Sequence, residues 1–274
     1  MTEPDTGADE GSAPAQRLDV ELVRRGRARS RGHARDLITR GAVQVNGIPA
    51  LKPAQPVTAG DDLDVTDAHR WVGRGAEKLD GALTAYGLDV RGRRALDVGA
   101  STGGFTQVLL ERGAREVVAL DVGHGQLVPQ LRDDPRVREL SGTSVRGLTE
   151  PMIGGPVDLV VVDLSFISLT VVLDDIARVC AADADVILLV KPQFEVGRGR
   201  LGKKGVVTAP TDRALAIRNV GRVAEAAGFA LRTLVASGTL GSHGNREYLL
   251  WVAVSEVVGG SWQALDELID RAVR

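Results

Sequence analysis

The stretch LDVGASTGGFT, residues 96–106, joins an apolar run to a glycine-rich turn. Glycines at a strand-to-helix turn let the backbone approach a ligand closely, and an acid at the strand end orients the turn or receives a cation. A nucleotide-binding turn and a purely structural turn are the alternatives. The turn lacks the lysine that a phosphate-binding P-loop requires at its end.

Similar apolar runs recur from residue 76 onward and alternate with amphipathic stretches. The runs are RRALDVG, EVVALDV, VDLVVVDL, DVILLVK, FALRTLVAS and EYLLWVAV. This alternation predicts an α/β fold with a doubly wound parallel sheet. Ligands bind at the carboxyl ends of the strands in such sheets, so the residues that follow each run are candidates for the chemistry.

Charged residues follow three of these runs. Asp121 lies 24 residues beyond Asp97, a spacing that suits the two hydroxyls of a ribose. The alternative role for Asp121 is a helix N-cap before HGQLVPQL, and both roles can coexist. Asp163 and Lys191 close two buried runs, where a charge is costly unless it is paired. We therefore expect an ion pair between them, with a purely structural pair as the alternative.

Length and composition predict two domains and restrict the class of protein. At 274 residues the chain exceeds one typical domain. The single Cys180 excludes an internal disulfide framework, and the four histidines lack metal-ligand spacing, so we expect a cytoplasmic protein without a metal. The apolar runs are shorter than the eighteen or so residues that span a bilayer, so we expect no membrane partner.

The charge is segregated along the chain. The acidic, small-residue-rich residues 1–16 predict a disordered tail, whereas residues 17–52 carry nine Lys/Arg against three acids, a net charge of +6. RLDVELVRRG and SRGHARDLITRG predict two short helices, the second opening at Ser30. VQVNG and VTAGDDLDV predict turns and strands. Together they predict a small α+β domain at residues 17–66.

The arginines around the second helix are candidate RNA ligands, because such a stripe can follow a phosphate backbone. A merely solvated basic face is the alternative. The run from residue 29 to residue 47, RSRGHARDLITRGAVQVNG, resembles the RNA-binding module of a small-subunit ribosomal protein, also found in pseudouridine synthases and tyrosyl-tRNA synthetases. The candidate RNA-binding residues here are Arg24, Arg25, Arg27, Arg29, Arg31, Arg35 and Arg40.

Two further segments are candidates for a functional role. The glycine-rich loop 196–205 carries Arg198, Arg200, Lys203 and Lys204 directly after Lys191, where it could hold RNA phosphates, or it is a plain surface loop. Residues 67–75 form a predicted linker before a catalytic domain at 76–274. Its Trp71 packs as an interdomain hinge or contributes to cofactor binding, and packing is favoured.

Six motifs together resemble the TlyA family of ribosomal RNA 2'-O-methyltransferases, also named hemolysins, whose catalytic domain is similar to the FtsJ heat-shock methyltransferase. The motifs are RWVGRGAEKL, DVGASTGGFT, DLSFIS, KPQFE, GKKGVV and GNREY. The resemblance covers nearly all of the chain from residue 17. It implies a Rossmann-like seven-stranded methyltransferase sheet, S-adenosylmethionine as cofactor, and cytidine in small- and large-subunit ribosomal RNA or ribosomal subunits as substrate.

The resemblance also implies the site residues. The cofactor-binding residues are Asp97, Gly99, Ala100, Ser101, Gly103, Gly104, Phe105 and Asp121. The catalytic tetrad is Lys78, Asp163, Lys191 and Glu247. Taken without the family, Lys78 and Glu247 look like ordinary surface charges. Ser144 stands where the family usually has an asparagine, so the adenine contacts are not assigned.

The chemistry agrees with these residue types. Asp163 begins the sequence D-L-S-F, whereas amino-group methyltransferases usually have Asp, Asn or Ser followed by P-P-aromatic at this position. This difference favours an oxygen nucleophile over a base nitrogen. Lys191 is the candidate base, and a lysine serves as base only when its pKa falls from about 10.4 toward neutrality. Alternatively Lys191 stays charged and steers the hydroxyl, with Asp163 orienting it and Glu247 holding Lys78 or the ribose. The competing functions are a membrane-lytic hemolysin, an RNA-binding protein whose methyltransferase fold is catalytically inactive, and a base-nitrogen methyltransferase.

Overall fold

The computed structural model describes residues 15–28, 31–39, 41–65, 71–202, 204–241, 244–254 and 262–273, without the side chain of residue 36. The chain divides into two compact units, residues 1–70 and 71–274, which are considered one at a time. Most of the predicted tail, the predicted helix start at Ser30, and Arg29, Arg40 and Lys203 lie outside the described residues.

The first unit contains two helices and short antiparallel strands. The helices are α1 (Leu18–Arg24) and α2 (Arg31–Thr39), and the strands are β1 (Gln16–Arg17), β2 (Val43–Val45), β3 (Ile48–Pro49), β4 (Pro56–Val57) and β5 (Leu63–Val65). β1 pairs with β4, and β3, β2 and β5 form a sheet in that order. Gln16, assigned to the tail from sequence, belongs to β1.

A tight turn sets the register of the small sheet. Asn46 and Gly47 connect β2 to β3, and both have the positive φ that a two-residue type I' hairpin turn requires, 53° and 77°. The Asn46 side chain donates to Asp61 at 2.7 Å and accepts from the backbone N–H of Asp62 at 2.8 Å, which ties this turn to the next one. The core beneath is apolar and includes Leu18, Leu22, Ala34, Ile38 and Val43.

The second unit is a seven-stranded sheet with helices. The strands are β6 (Arg94–Val98), β7 (Glu116–Asp121), β8 (Val137–Ser141), β9 (Val157–Val162), β10 (Cys180–Val190), β11 (Ala230–Ala236) and β12 (Tyr248–Ala253). The helices are α3 (Gly75–Tyr86), α4 (Gly104–Glu111), α5 (Pro129–Arg132), α6 (Glu150–Ile153), α7 (Leu173–Ala177), α8 (Pro192–Glu195), α9 (Pro210–Ala226) and α10 (Leu265–Ala272). The strand order is β11-β12-β10-β9-β6-β7-β8.

This architecture confirms the predicted fold class, with one difference from an all-parallel sheet. β12 runs antiparallel to both of its neighbours, β10 and β11. Side chains alternate between the two faces of a strand. Val160 and Val162 of β9 therefore join one buried cluster, and Leu159 and Val161 join the other. Because both faces are covered, the strands read in sequence as continuous apolar runs.

The described part of the predicted linker packs against the second unit. Trp71 and Val72 are partly buried against one of its apolar clusters. The Val72 N–H donates to Gln107 of α4 at 2.8 Å. α3 already begins at Gly75, one residue before the predicted domain start. None of the helices in the described part of the chain has both the length and the apolar character needed to cross a bilayer.

Candidate active site

One edge of the large sheet collects the strand ends that carry charged residues. Val162 of β9 pairs with Val98 of β6 and with Leu188 of β10, so the glycine turn, Asp163 and Lys191 all emerge at this edge. β12 runs the other way, and its first residue, Tyr248, pairs with Val190. The residue before Tyr248 therefore reaches the same edge from the opposite direction, and that residue is Glu247.

Lys191 and Asp163 form the ion pair that the sequence predicts. Lys191 Nζ lies 2.5 Å from Asp163 Oδ1, and the two side chains are 11% and 22% exposed. Lys191 Nζ also donates to Ser165 Oγ at 2.9 Å. The amine is therefore held by two residues of the loop that follows β9.

Lys78 and Glu247 form a second ion pair, which is more deeply buried. Lys78 Nζ lies 2.5 Å from Glu247 Oε2, with side-chain exposures of 9% and 2%. Gln193, two residues after Lys191, donates from Nε2 to Glu247 Oε1 at 3.3 Å. On α3, one turn before Lys78, a Cβ built on Gly75 would lie 3.3 Å from Asp163 Oδ2. The structure thus brings together all four residues of the implied tetrad.

The glycine turn packs tightly against its protein neighbours. Gly99 and Gly103 have φ of 88° and 97°, which side chains rarely adopt. A Cβ on Gly99 would collide with the carbonyl oxygen of Asp163, and one on Gly103 would collide with Leu127 and Leu131. These glycines therefore let the turn reach the end of β9 and the start of α5, so the turn lies beside the ion pairs.

Asp121 holds two turns together rather than capping a helix. Its Oδ2 accepts from the Ser101 N–H at 2.8 Å and its Oδ1 from the Gly123 N–H at 2.7 Å. α5 begins only at Pro129, so the predicted helix N-cap is wrong. A small cleft between Ser101, Asp121, Gln126 and Ser141 opens at this point. Gln126 donates a third, longer hydrogen bond to Asp121 Oδ1 at 3.5 Å. A carboxylate has more acceptor positions than these three bonds use, so it can still accept ribose hydroxyls.

Asp97 is the most deeply buried charged group near the turn. It is fully buried, and its Oδ2 accepts from Thr106 Oγ1 at 2.6 Å. Among the described residues its Oδ1 has no hydrogen-bond partner. Burial raises the pKa of Asp97 to about 7, and the negative charges of Asp163 and Asp121 add to this effect. An unpaired buried oxygen beside the turn suits a ligand with a cationic or N–H donor group.

Comparisons with known proteins agree with this geometry. Residues 71–254 match the model of the FtsJ-like methyltransferase family, and residues 16–63 match the S4 domain. The 16S/23S rRNA (cytidine-2'-O)-methyltransferase TlyA of Mycobacterium tuberculosis is 52% identical over 94% of this chain and 97% of that protein. The chain belongs to the TlyA family.

Solved structures are also similar to this TlyA-family chain, including the following two. A candidate hemolysin from Streptococcus thermophilus is 33% identical, with a TM-score of 0.75 over 95% of this chain and 96% of that one. A candidate S-adenosylmethionine-dependent methyltransferase from Listeria monocytogenes, 14% identical, has a TM-score of 0.50 over 67% of this chain and all of that one. The second unit therefore has the fold of S-adenosylmethionine-dependent methyltransferases.

The candidate RNA-binding arginines of the first unit differ in their surroundings. Arg25 is 22% exposed and donates to the carbonyls of Asp61 and Thr58 at 2.6 and 2.8 Å and to the buried Glu21. These bonds hold the first unit together, and the RNA contact of Arg25 stays a prediction. Arg24 shares Glu21 but is 62% exposed. Arg27, Arg31 and Arg35 are also exposed.

The basic loop after Lys191 is anchored close to the ion pairs. Arg198, Arg200 and Lys204 are exposed, and Arg200 pairs with Asp212 at 2.5 Å. Asn245 is buried, accepts from the Val207 N–H at 3.0 Å and donates to the Gly205 carbonyl at 3.1 Å.

Three polar residues with a part in the site were not predicted. Ser165 and Gln193 bond to residues of the tetrad, and Asn245 bonds to the basic loop. Each lies inside a motif quoted for the family resemblance, and this position was the only available signal. The described residues contain no group of three His, Cys, Asp or Glu side chains that could hold a metal ion.

Proposed function

We propose that this chain transfers a methyl group from S-adenosylmethionine to the 2'-hydroxyl of cytidine in small- and large-subunit ribosomal RNA. The observation that carries the proposal is the meeting of the Lys191–Asp163 and Lys78–Glu247 pairs beside the glycine turn. The name of the Mycobacterium tuberculosis relative supports the substrate and the position of the methyl group.

The residues around the turn fit this cofactor. The backbone of residues 99–105 would hold its methionine part, and Asp121 would accept its ribose hydroxyls at the adjacent strand end. The unpaired buried oxygen of Asp97 suits the positively charged end of the molecule. The cofactor supplies a methyl group that is already activated by the positive charge on sulfur.

Lys191 is the residue that acts on the hydroxyl. A ribose oxygen attacks only when its lone pair points along the line of the S–CH3 bond and its proton can leave. Asp163 and Ser165 hold the Lys191 amine in place. The Lys78–Glu247 ion pair forms the neighbouring part of the site. Lys191 either accepts the proton as a neutral amine or stays positively charged and orients the hydroxyl oxygen. The hydroxyl proton would pass to Lys191 if this residue acts as the base, and to solvent if Lys191 stays charged.

Features of both units support an RNA substrate. The first unit presents the exposed arginines of an S4 domain, and the loop at 198–204 adds basic residues near the ion pairs. Phe166, in the loop that follows Asp163, is 91% exposed and packs against Phe194 with ring centres 5.2 Å apart. An exposed aromatic face at this position could support a base that has left its helical stack.

The test is methyl transfer to purified ribosomal subunits from labelled cofactor, followed by alkaline-resistance mapping. Lys191→Ala should lower the rate by about 10² to 10⁴, the usual contribution of a positioned acid or base, without weakening cofactor binding. The exposed Lys52→Ala is the control and should keep full activity. Activity of Lys191→Ala near the wild-type level would remove Lys191 from catalysis.

The product separates the competing functions. Methyl groups on a base nitrogen would overturn the 2'-hydroxyl as the acceptor. Leakage of phospholipid vesicles without any methyl incorporation would favour the hemolysin.

A further inference from the structure

A buried carboxylate in the first unit gathers three arginines from two segments. Asp19, on the first turn of α1, is fully buried. Arg17 binds it at two points, at 2.9 and 3.2 Å, Arg35 donates through Nε at 3.1 Å, and Arg31 through a terminal nitrogen at 3.4 Å. Arg17 precedes α1, whereas Arg31 and Arg35 lie on α2. Their guanidinium groups therefore converge on one carboxylate.

Three converging positive charges repel one another, and Asp19 offsets this repulsion. Its carboxyl is held ionised because its bonds with Arg17, and then those with Arg35 and Arg31, lower its pKa to about 2. Each guanidinium has five N–H donors, and Asp19 engages at most two of them. The three arginine side chains remain 46%, 55% and 53% exposed. Asp19 thus holds the three guanidinium groups from their buried side, while the arginine side chains remain accessible to a ligand from solvent.

The other buried acid of α1 is used differently. Glu21 binds Arg24 and Arg25, and Arg25 turns inward to the carbonyls of Thr58 and Asp61. A buried acid in this unit therefore does not by itself create an exposed cluster of guanidinium groups. The difference singles out Asp19 and its partners.

We propose that Asp19 is a positioning residue that fixes Arg17, Arg31 and Arg35 as one phosphate-binding cluster for RNA. The proposal rests on the RNA substrate proposed above and adds two residues to it. Arg17 becomes a phosphate ligand that the sequence did not suggest. Asp19, although negative, strengthens the binding of a polyanion because the arginines keep a single arrangement.

The charge of Asp19 makes the proposal sharply testable. Asp19→Asn removes one negative charge, so simple electrostatics predicts tighter RNA binding, whereas loss of positioning predicts weaker binding. The matched control is Asp64→Asn, which makes the same charge change at an exposed residue of β5. Full-length proteins would be titrated with purified ribosomal RNA over a range of salt concentrations.

Asp19→Asn should bind this RNA about tenfold more weakly, the equivalent of one missing charge-assisted hydrogen bond. The slope of log affinity against log salt should shrink by roughly 0.7 to 0.9 for each phosphate that the variant no longer binds. The KM for ribosomal subunits should rise while kcat is retained, which a general loss of folding would not produce. Asp64→Asn should bind this RNA at least as tightly as the wild type does.

A second variant covers the case in which Asp19→Asn fails to fold. Arg17→Lys keeps the charge at a half-exposed position but loses the two-point bond to Asp19, and it should weaken binding in the same direction. Wild-type affinity and salt slope in either folded variant would overturn the proposal. Failure of the wild-type protein to bind or methylate ribosomal RNA would instead overturn the proposed function.

Discussion

The placement of Glu247 can be tested without changing any of the four tetrad residues. Gly241 lies against the Glu247 carboxylate, and a Cβ built on it would be 3.1 Å from Oε2 and would overlap Oε1 and the carboxyl carbon. Glu247 is almost fully buried and is already bonded to Lys78 and Gln193, so a displacement of its carboxylate would break or lengthen these bonds. Gly241→Ala should therefore displace the carboxylate from its observed position beside Lys78.

The size of the effect follows from the size of the displacement. The carboxylate must retreat by about 1.5 Å before its carbon and oxygen atoms reach ordinary contact distance from the new methyl group. A misplacement of about 1 Å can cost roughly a hundredfold in rate. The same overpacking should lower the free energy of unfolding by about 1–3 kcal/mol. We expect a folded protein whose methyl transfer is reduced far more than its stability.

The assay is methyl incorporation into ribosomal subunits, with thermal unfolding measured on the same samples. Gly238→Ala is the control, because a Cβ at this nearby glycine meets no atom within 4 Å. It should leave both activity and stability unchanged. Wild-type activity in Gly241→Ala would refute the reasoning, since the Lys78–Glu247 pair would then not need its observed geometry.

Two other residues give independent predictions. The pKa of Asp97 is raised by burial to about 7, so the folded protein keeps a proton there that the unfolded chain releases above about pH 4. The free energy of unfolding should therefore fall by roughly 4 kcal/mol as the pH rises from 4 to above 7. In denaturant titrations, Asp97→Asn should make the free energy of unfolding less dependent on pH over this range. An equal pH dependence in the variant would contradict the assignment. Asn245→Ala removes both bonds to the basic loop. It should lose about 1–3 kcal/mol of stability and raise the KM for ribosomal subunits more than it lowers kcat, and an unchanged KM would show that the loop does not bind RNA.

The strand ends were predictable because the sheet is covered on both faces. A strand buried on both sides is made mostly of apolar residues, so a charged residue at its carboxyl end stands out. Asp163 and Lys191 were found in this way, and their ion pair followed from the cost of leaving two charges unpaired near a core. The same logic located Asp121, although its backbone partners at Ser101 and Gly123 depend on turn geometry that composition does not encode.

Composition could not predict which arginines of the first unit are exposed and which turn inward. Asp19 and Glu21 stand in a helix rich in charges, where both resemble solvated side chains, yet both are buried. Burial is decided by how α1 packs against the rest of the first unit, and a short helix with mixed charges carries little signal of that packing. For this reason Arg25 was grouped with the exposed arginines although it binds backbone carbonyls.

Lys78 and Glu247 show a more general limit. They are 169 residues apart, and neither follows an apolar run. The rule that chemistry lies after a strand holds for parallel strands, because their carboxyl ends share one edge. β12 is antiparallel, so its amino end reaches that edge and the residue before it takes part. Finding Glu247 from the sequence therefore requires knowing the direction of one strand, and the apolar pattern of YLLWVAV is the same in either direction.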